Sequence, residues 1–278
     1  MGDVFSAIVM ILIILFLLAA CVFVYMTTPG KFRWFDMPSA YCHRGYHNEI
    51  FPENSLGAFK NAAEHGLGVE LDVHMTKDGE IVVFHDNSLK RMCGVDKKIG
   101  ECTCEELSAF HLGNSEEKIP LFSDVLKTCG GVPVSCEIKV ENMDPAVDET
   151  YLSKVYEIIK DYPGDWNVIS FHPYVLKWFR EHHPEVIRGF LSMDYSKEKN
   201  SRIPATLSFM LSHLLFNYVA KPDFITFRFK DKTFGWKLCR FYGTRLCAWV
   251  IRSMDEVETA AYDGVSTFVC EDFDVTEV

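Results

Sequence analysis

From Val4 to Met26 the chain carries no charged residue, no Pro and no Gly. At 1.5 Å per residue, such a run is long enough to cross the ~30 Å hydrocarbon core of a bilayer and predicts one spanning helix. A signal-peptide core runs only about 7–15 residues and follows a basic segment, and no Lys or Arg precedes this one. Residues 1–30 therefore form the transmembrane helix and its flank, 31–37 a linker, and 38–278 one folded domain. In that domain short apolar runs alternate with amphipathic stretches. Runs at 39–44, 68–74, 132–140, 166–172, 186–192, 223–228, 245–251 and 266–271 predict eight strands. A helix is predicted from Asn54 to His65, with Asn54 as N-cap and Gly66 just past the end. Others are predicted over Pro145–Tyr162, Tyr174–His182, Ala205–Ala220, Phe234–Tyr242 and Met254–Ala261. The alternation predicts a parallel α/β fold. Eight strands favour a closed (β/α)₈ TIM barrel over the alternative, an open doubly wound sheet.

Three features break the regular pattern. Between strands two and three lie a hairpin arm, Glu80–His85, entered through Asp78-Gly79, a short helix with capping-box spacing from Thr103 to Glu106, and a helix over Ser123–Cys129. We read the whole stretch as an insertion after strand 2 at one end of the barrel. Little chain follows strand eight, which leaves the place of a last barrel helix to the N-terminal segment, a partner or the membrane. Finally, Ala205–Ala220 is apolar on more than one helix face, which fits either a segment dipping into lipid or a helix buried against the barrel.

Composition narrows the function. The formal net charge of −11 argues against nucleic acid, which requires a basic face. An anionic substrate would need local attraction from a metal ion or a few placed cations. The ten Cys are scattered without CxxC pairs and read as reduced thiols, which favours a reducing compartment. Asp3 precedes the apolar helix, while Lys31, Arg33 and Arg44 follow it. The positive-inside rule then places a single-pass protein's C-terminal domain in the cytoplasm.

Candidate chemistry falls in four groups near predicted strand ends. His43-Arg44-Gly45 offers a proton-transfer group beside a phosphate clamp, or only a polar turn. Glu70-Leu71-Asp72 sets two carboxylates on one strand face. Flanked by Val69, Leu71 and Val73, that face would be buried, and two buried anions call for a cation such as a hard divalent ion. His85-Asp86 ends an apolar run and is a second candidate acid or base. Glu137-Ile138-Lys139 either pairs with itself or supplies a third carboxylate and a phosphate-binding cation. Together they make an inventory suited to metal-assisted attack on a phosphodiester.

These groups stand in a longer order. His43-Arg44-Gly45, Pro52-Glu53-Asn54-Ser55, Glu70-Leu71-Asp72-Val73, Thr76-Lys77-Asp78-Gly79, Val82-Val83-Phe84-His85-Asp86 and Leu89-Lys90-Arg91 resemble the signature of the glycerophosphodiester phosphodiesterase family. Glu137-Ile138-Lys139 and Trp249-Val250-Ile251 resemble its third- and seventh-strand motifs. The resemblance runs from about residue 38 to 272, dense over 43–91 and thin over 145–240. It implies a barrel with a Mg²⁺ or Ca²⁺ ion held by Glu70, Asp72 and Glu137. His43 and His85 become general acid and base, Arg44 and Lys139 bind phosphate, and Trp249 lines the glycerol pocket. It also implies that a glycerol hydroxyl displaces the alcohol through a cyclic phosphate, which water opens to glycerol 3-phosphate. The family's Thr-Asp-x-Pro-like ending of strand eight is replaced here by Cys270-Glu271-Asp272-Phe273, a change expected to alter the pocket mouth and spare the site. The substrate is then a glycerophosphodiester or, with the same residues and a different pocket, a membrane lysophospholipid cut by a lysophospholipase D. A non-catalytic, membrane-tethered binding module is the remaining alternative.

Overall fold

The computed structural model describes residues 2–31, 33, 35–198 and 203–278. Its strands are β1 (Ala40–Cys42), β2 (Gly68–Met75), β3 (Ile81–Val83), β4 (Val134–Ile138), β5 (Trp166–Ser170), β6 (Ile187–Ser192), β7 (Phe224–Arg228), β8 (Arg245–Ile251) and β9 (Thr267–Cys270). All except β3 run parallel, and pairing of β1 with both β2 and β9 closes them into an eight-stranded barrel. β3 lies antiparallel on β2 as an arm outside the ring. Each of the eight predicted runs matches one barrel strand to within two residues at either end. β1 keeps only three residues, so His43, Arg44 and Gly45 stand beyond its C-terminal end.

Period-two alternation sorts the side chains. In β2, Val69, Leu71 and Val73 are buried beneath the helices, while Glu70, Asp72 and His74 share the opposite face. Lower in the barrel the interior is apolar, filled by Tyr41, Ile169, Leu191, Phe224, Cys247 and Val269. A Cβ at Gly189 would come within 2.3 Å of the Phe224 ring, so glycine there lets Phe224 fill the centre. Asn167 bridges this layer, donating to Tyr41 Oη at 3.1 Å and accepting from Ser135 Oγ at 2.9 Å.

The crossover helices depart from expectation in instructive places. The first spans Leu56–Glu64, and its N-cap is Ser55, whose side chain accepts from Ala58 N. Asn54, expected as the cap, instead takes φ +56° and turns its amide to Asp72. The insertion is shorter than predicted. Phe122–Cys129 packs between Leu56–Glu64 and Glu149–Ile159, which makes it the barrel's own second crossover helix. Only the β3 arm and the short helices between it and Phe122 remain as insertion, with Thr103 capping Cys104–Ser108 in a reciprocal box. The apolar stretch 205–220 is two helices, Ala205–Ser212 and Asn217–Ala220. Leu214 at φ +57° turns the chain between them, because one straight helix could not keep Leu211, Leu214, Leu215 and Phe216 all buried. After β9 the chain forms only a 3₁₀ turn, Val275–Glu277.

An apolar helix, Gly2–Thr27, precedes the barrel. Its Val4–Thr27 portion is long and apolar enough to cross a membrane. Only its last turns touch the barrel. Phe23 meets the ring of Phe234 at 5.9 Å, and Tyr25 meets Tyr218 at 5.9 Å. Thr27 is fully buried, and its carbonyl accepts from Asn217 Nδ2 at 2.7 Å. Of the residues that follow, Arg33 and Phe35 lie at the barrel floor. Arg33 pairs with Asp223 at 3.0 Å, and Phe35 lies under Phe224 with Arg245 stacked on it at 4.7 Å.

Candidate active site

At the C-terminal ends of the strands the apolar interior gives way to charge. Glu70 and Asp72 rise from β2 and Glu137 from β4, and one oxygen of each lies within 4.8 Å of the others. All three residues are buried. β2 and β4 are adjacent in register, Asp72 opposite Glu137, so the cluster follows directly from strand pairing.

The cluster is unevenly neutralised. Lys139, one residue past β4, reaches Asp72 at 2.9 Å and Glu137 at 2.7 Å. Arg44 Nε is 3.6 Å from Asp72, and Asn54 Nδ2 donates to Asp72 at 2.9 Å. Burial would push Asp72 up, but Lys139, His85 and Arg44 outweigh it and hold its carboxyl well below the usual range. Among the described residues Glu70 receives only the Arg44 backbone N–H, at 3.2 Å. Burial and the neighbouring Asp72 and Glu137 charges push its carboxyl well above the usual range. Burial likewise raises Glu137, against the pull of Lys139. Three buried carboxylates facing one lysine and one arginine leave a negative excess that a hard, oxygen-seeking cation would fill. The donor set therefore fits a divalent ion.

Two histidines flank the cluster, each tied to a carboxylate through Nδ1. His43 is hydrogen-bonded to Glu271, which is also paired with Arg252. His85 Nδ1 lies 2.6 Å from Asp86. An ionised carboxylate can only accept, so both Nδ1 atoms carry hydrogen and Nε2 remains as each ring's second nitrogen. Among the described residues neither Nε2 has a hydrogen-bond partner. Burial lowers the His43 pKa, partly offset by Glu271. Burial would raise Glu271, but His43 and Arg252 reverse the sign and hold it ionised. A rim of ion pairs links the two sides: Arg44 to Glu53 at 2.8 Å, Glu53 to Arg91 at 2.6 Å, and Arg91 to Asp86 at 2.6 Å.

The cleft has two lobes that share His85, Glu137, Lys139 and Phe171. One, of about 540 Å³, is lined by His43, Leu191, Met193, Trp249 and Arg252. The other, of about 700 Å³, is lined by Asn87, Ser88, Lys90, Arg91 and His172. Trp249 packs edge-on to Phe171 at 5.6 Å and also rests on the apolar plug, so it is both core and cleft wall.

All eight candidate residues read from the sequence, His43, Arg44, Glu70, Asp72, His85, Glu137, Lys139 and Trp249, thus line one cleft or its charged floor. One expectation is corrected. The altered ending of strand eight does not spare the site, since Glu271 bonds directly to His43. Sequence reasoning gave no part in the site to Glu53, Asn54, Asp86, Arg91 or Glu271. The first four stood within recognised motifs and could have been flagged there; Glu271 carried no local signal.

Comparison with known proteins bears on the family and the fold. The profile of the glycerophosphoryl diester phosphodiesterase family matches residues 43–267. A glycerophosphodiester phosphodiesterase of Caldanaerobacter subterraneus subsp. tengcongensis is 26% identical over 83% of this chain and 92% of its own. The human lysophospholipase D GDPD1 is 34% identical over a stretch covering 43% of this chain and 40% of that protein. In fold, an Oleispira antarctica phosphodiesterase solved with its product sn-glycerol-3-phosphate superposes with TM-score 0.68 at 21% identity, over 85% of this chain and 94% of that one. With a profile match across nearly the whole barrel and the same fold around it, this chain belongs to the glycerophosphoryl diester phosphodiesterase family, a family of phosphoric diester hydrolases.

Proposed function

We propose that the protein hydrolyses glycerophosphodiesters to glycerol 3-phosphate and an alcohol, with His43 and His85 as its acid–base pair. The observation that carries this reading is the pair of carboxylate-held histidines lining a cleft floored by Glu70, Asp72 and Glu137. Those three carboxylates would hold Mg²⁺ or Ca²⁺, and an ion there would supply positive charge to offset that of the phosphate. Arg44 and Lys139 add positive charge at the same place. Trp249 lies in the His43 lobe, which we assign to glycerol, and His85 adjoins the lobe of Asn87 and Ser88, which we assign to the leaving alcohol. His43, kept neutral by burial, takes the proton from the glycerol 2-hydroxyl as that oxygen attacks phosphorus. The bond to the leaving alcohol breaks, and His85 protonates the departing oxygen. Water then gives a proton to His85 and attacks the cyclic phosphate. The ring bond to the 2-oxygen opens, and His43 returns the proton to it.

We read the N-terminal helix as a single membrane span, and the flanking charges favour the cytoplasmic side for the barrel. A second reading, lysophospholipase D activity on membrane lysolipids, is favoured by the apolar lining of the His43 lobe, Phe171, Leu191, Met193 and Trp249. The test uses the full-length protein in detergent with a panel of glycerophosphodiesters and lysophospholipids, Mg²⁺ or Ca²⁺ with and without chelator, beside Glu70→Ala. Chelator-sensitive release of glycerol 3-phosphate, lost in the variant, is the expected result. Release of lysophosphatidic acid alone would select the second reading. No cleavage of any diester would sink both and leave the binding module.

A further inference from the structure

The direction of the N-terminal helix decides how the barrel meets the membrane. Phe23 lies against Phe234, which opens the helix Phe234–Phe241 leaving the C-terminal, catalytic end of β7. One turn later Thr27 Oγ1 is 3.3 Å from Tyr242 Oη, where the chain turns toward the N-terminal end of β8. Gly30 N then donates to Pro222 O at 2.9 Å, just before β7 begins. The helix therefore descends the barrel wall from the catalytic end to the floor, and its free turns project beyond the catalytic end.

The length of that projection matters. Residues 4–22, all exposed except Ala20, span about 28 Å at 1.5 Å per residue, close to the ~30 Å hydrocarbon thickness. Nothing is left over for a stalk, so the barrel face beside Phe23 abuts the headgroups. That face carries apolar side chains next to the span. Phe234 and Phe209 are each 54% exposed. Phe209 sits on Ala205–Ser212, in the connection that leaves the catalytic end of β6. The apolar wall of the cleft, Leu191, Met193 and Trp249, stands at the ends of β6 and β8, on this same side of the mouth. The polar lobe with Asn87, Ser88 and Arg91 lies toward the insertion.

We infer that the catalytic mouth faces the bilayer, with Phe209 and Phe234 seated in the lipid interface beside the spanning helix. A substrate carrying one acyl or alkyl chain then enters from the membrane, chain along the Leu191–Met193–Trp249 wall and head group toward the insertion lobe. The surface is an extension of the span, which is why its occupant is lipid. The inference rests on the phosphodiesterase reading of the cleft and on the N-terminal helix being a span.

The test reconstitutes the full-length protein in phosphatidylcholine vesicles. A fluorescent amino acid is placed by codon suppression at position 209 or, at the opposite end of the barrel, at position 241, and quenching by spin-labelled lipids is measured. Phe241 is 83% exposed, so both positions tolerate a probe. Strong quenching at 209 and little at 241 is expected. The reverse pattern, equal quenching, or failure of the protein to float with vesicles overturns the orientation, and this readout is independent of catalysis. In the activity arm, Phe209→Ser/Phe234→Ser is expected to lower cleavage of a vesicle-embedded lysophospholipid about tenfold and leave a water-soluble glycerophosphodiester unchanged. Equal effects on both substrates, or none on the embedded one, count against the inference. Loss of cleavage of every diester by the unmodified protein would instead indict the phosphodiesterase reading, with the quenching result still standing.

Discussion

Glu271→Gln is the sharpest single perturbation of this site. The change keeps the size of the side chain and a carbonyl oxygen able to accept from His43 Nδ1, and removes only the charge. Glu271 is 13% exposed and His43 12%, so solvent screens the interaction little. A hydrogen bond to a charged partner contributes about 1.5–3 kcal/mol, against about 0.5–1.5 for a neutral one. At 1.36 kcal/mol per factor of ten, losing that increment of about 1–1.5 kcal/mol in the transition state, where in the proposed mechanism His43 carries the glycerol proton, lowers kcat by about 5- to 13-fold. The sign on pH is fixed as well. Glu271 raises the His43 pKa against burial, so removing its charge lowers that pKa and moves the acid limb of kcat/KM to lower pH. The assay is glycerol 3-phosphate release from a soluble diester across pH 5–9, with binding of divalent ion as a check that the floor is intact. A Glu271→Gln protein with wild-type kcat, or with its acid limb moved upward, would refute a positioning role for Glu271 and the base role of His43 together.

Three further outcomes follow from the same geometry. Lys139→Met leaves buried Asp72 and Glu137 short of a cation and should cost about 3–5 kcal/mol of stability in chelator; thermal unfolding should show a larger rescue by Mg²⁺ or Ca²⁺ in the variant than in the wild type. Burial lowers the His74 pKa from 6.5 to about 4. The unfolded chain therefore binds the proton first as pH falls from 6.5 toward 4, and stability drops over that window by up to about 3 kcal/mol. His74→Gln should flatten that part of the stability–pH curve, and an unchanged slope would discount the effect. Finally, Asn217 is fully buried and donates to Thr27 O, so a chain starting at Gly30 should be about 1–3 kcal/mol less stable to urea than one starting at Phe23.

The sequence by itself determined whatever depends on backbone periodicity. Side chains two apart on a strand must share a face, so Glu70 with Asp72, and Glu137 with Lys139, were legible before any fold was known. So were the eight strands with helices between them and an apolar run of membrane length, because both are read from local composition. Helix ends were less legible. Ser55 and Asn54 are adjacent, both are good caps, and only the pull of Asp72 on the Asn54 amide distinguishes them. Tertiary structure alone decided what meets across the closed ring. Glu271 reaches His43 from 228 positions away because β1 pairs with β9. Arg91 comes to Glu53 from 38 away because the insertion folds back over the first crossover. The end of the barrel from which the apolar helix departs was likewise unreadable along the chain. It depends on packing of Phe23 and Thr27 against helices two hundred residues downstream, and no local propensity encodes contacts made only once the barrel has closed.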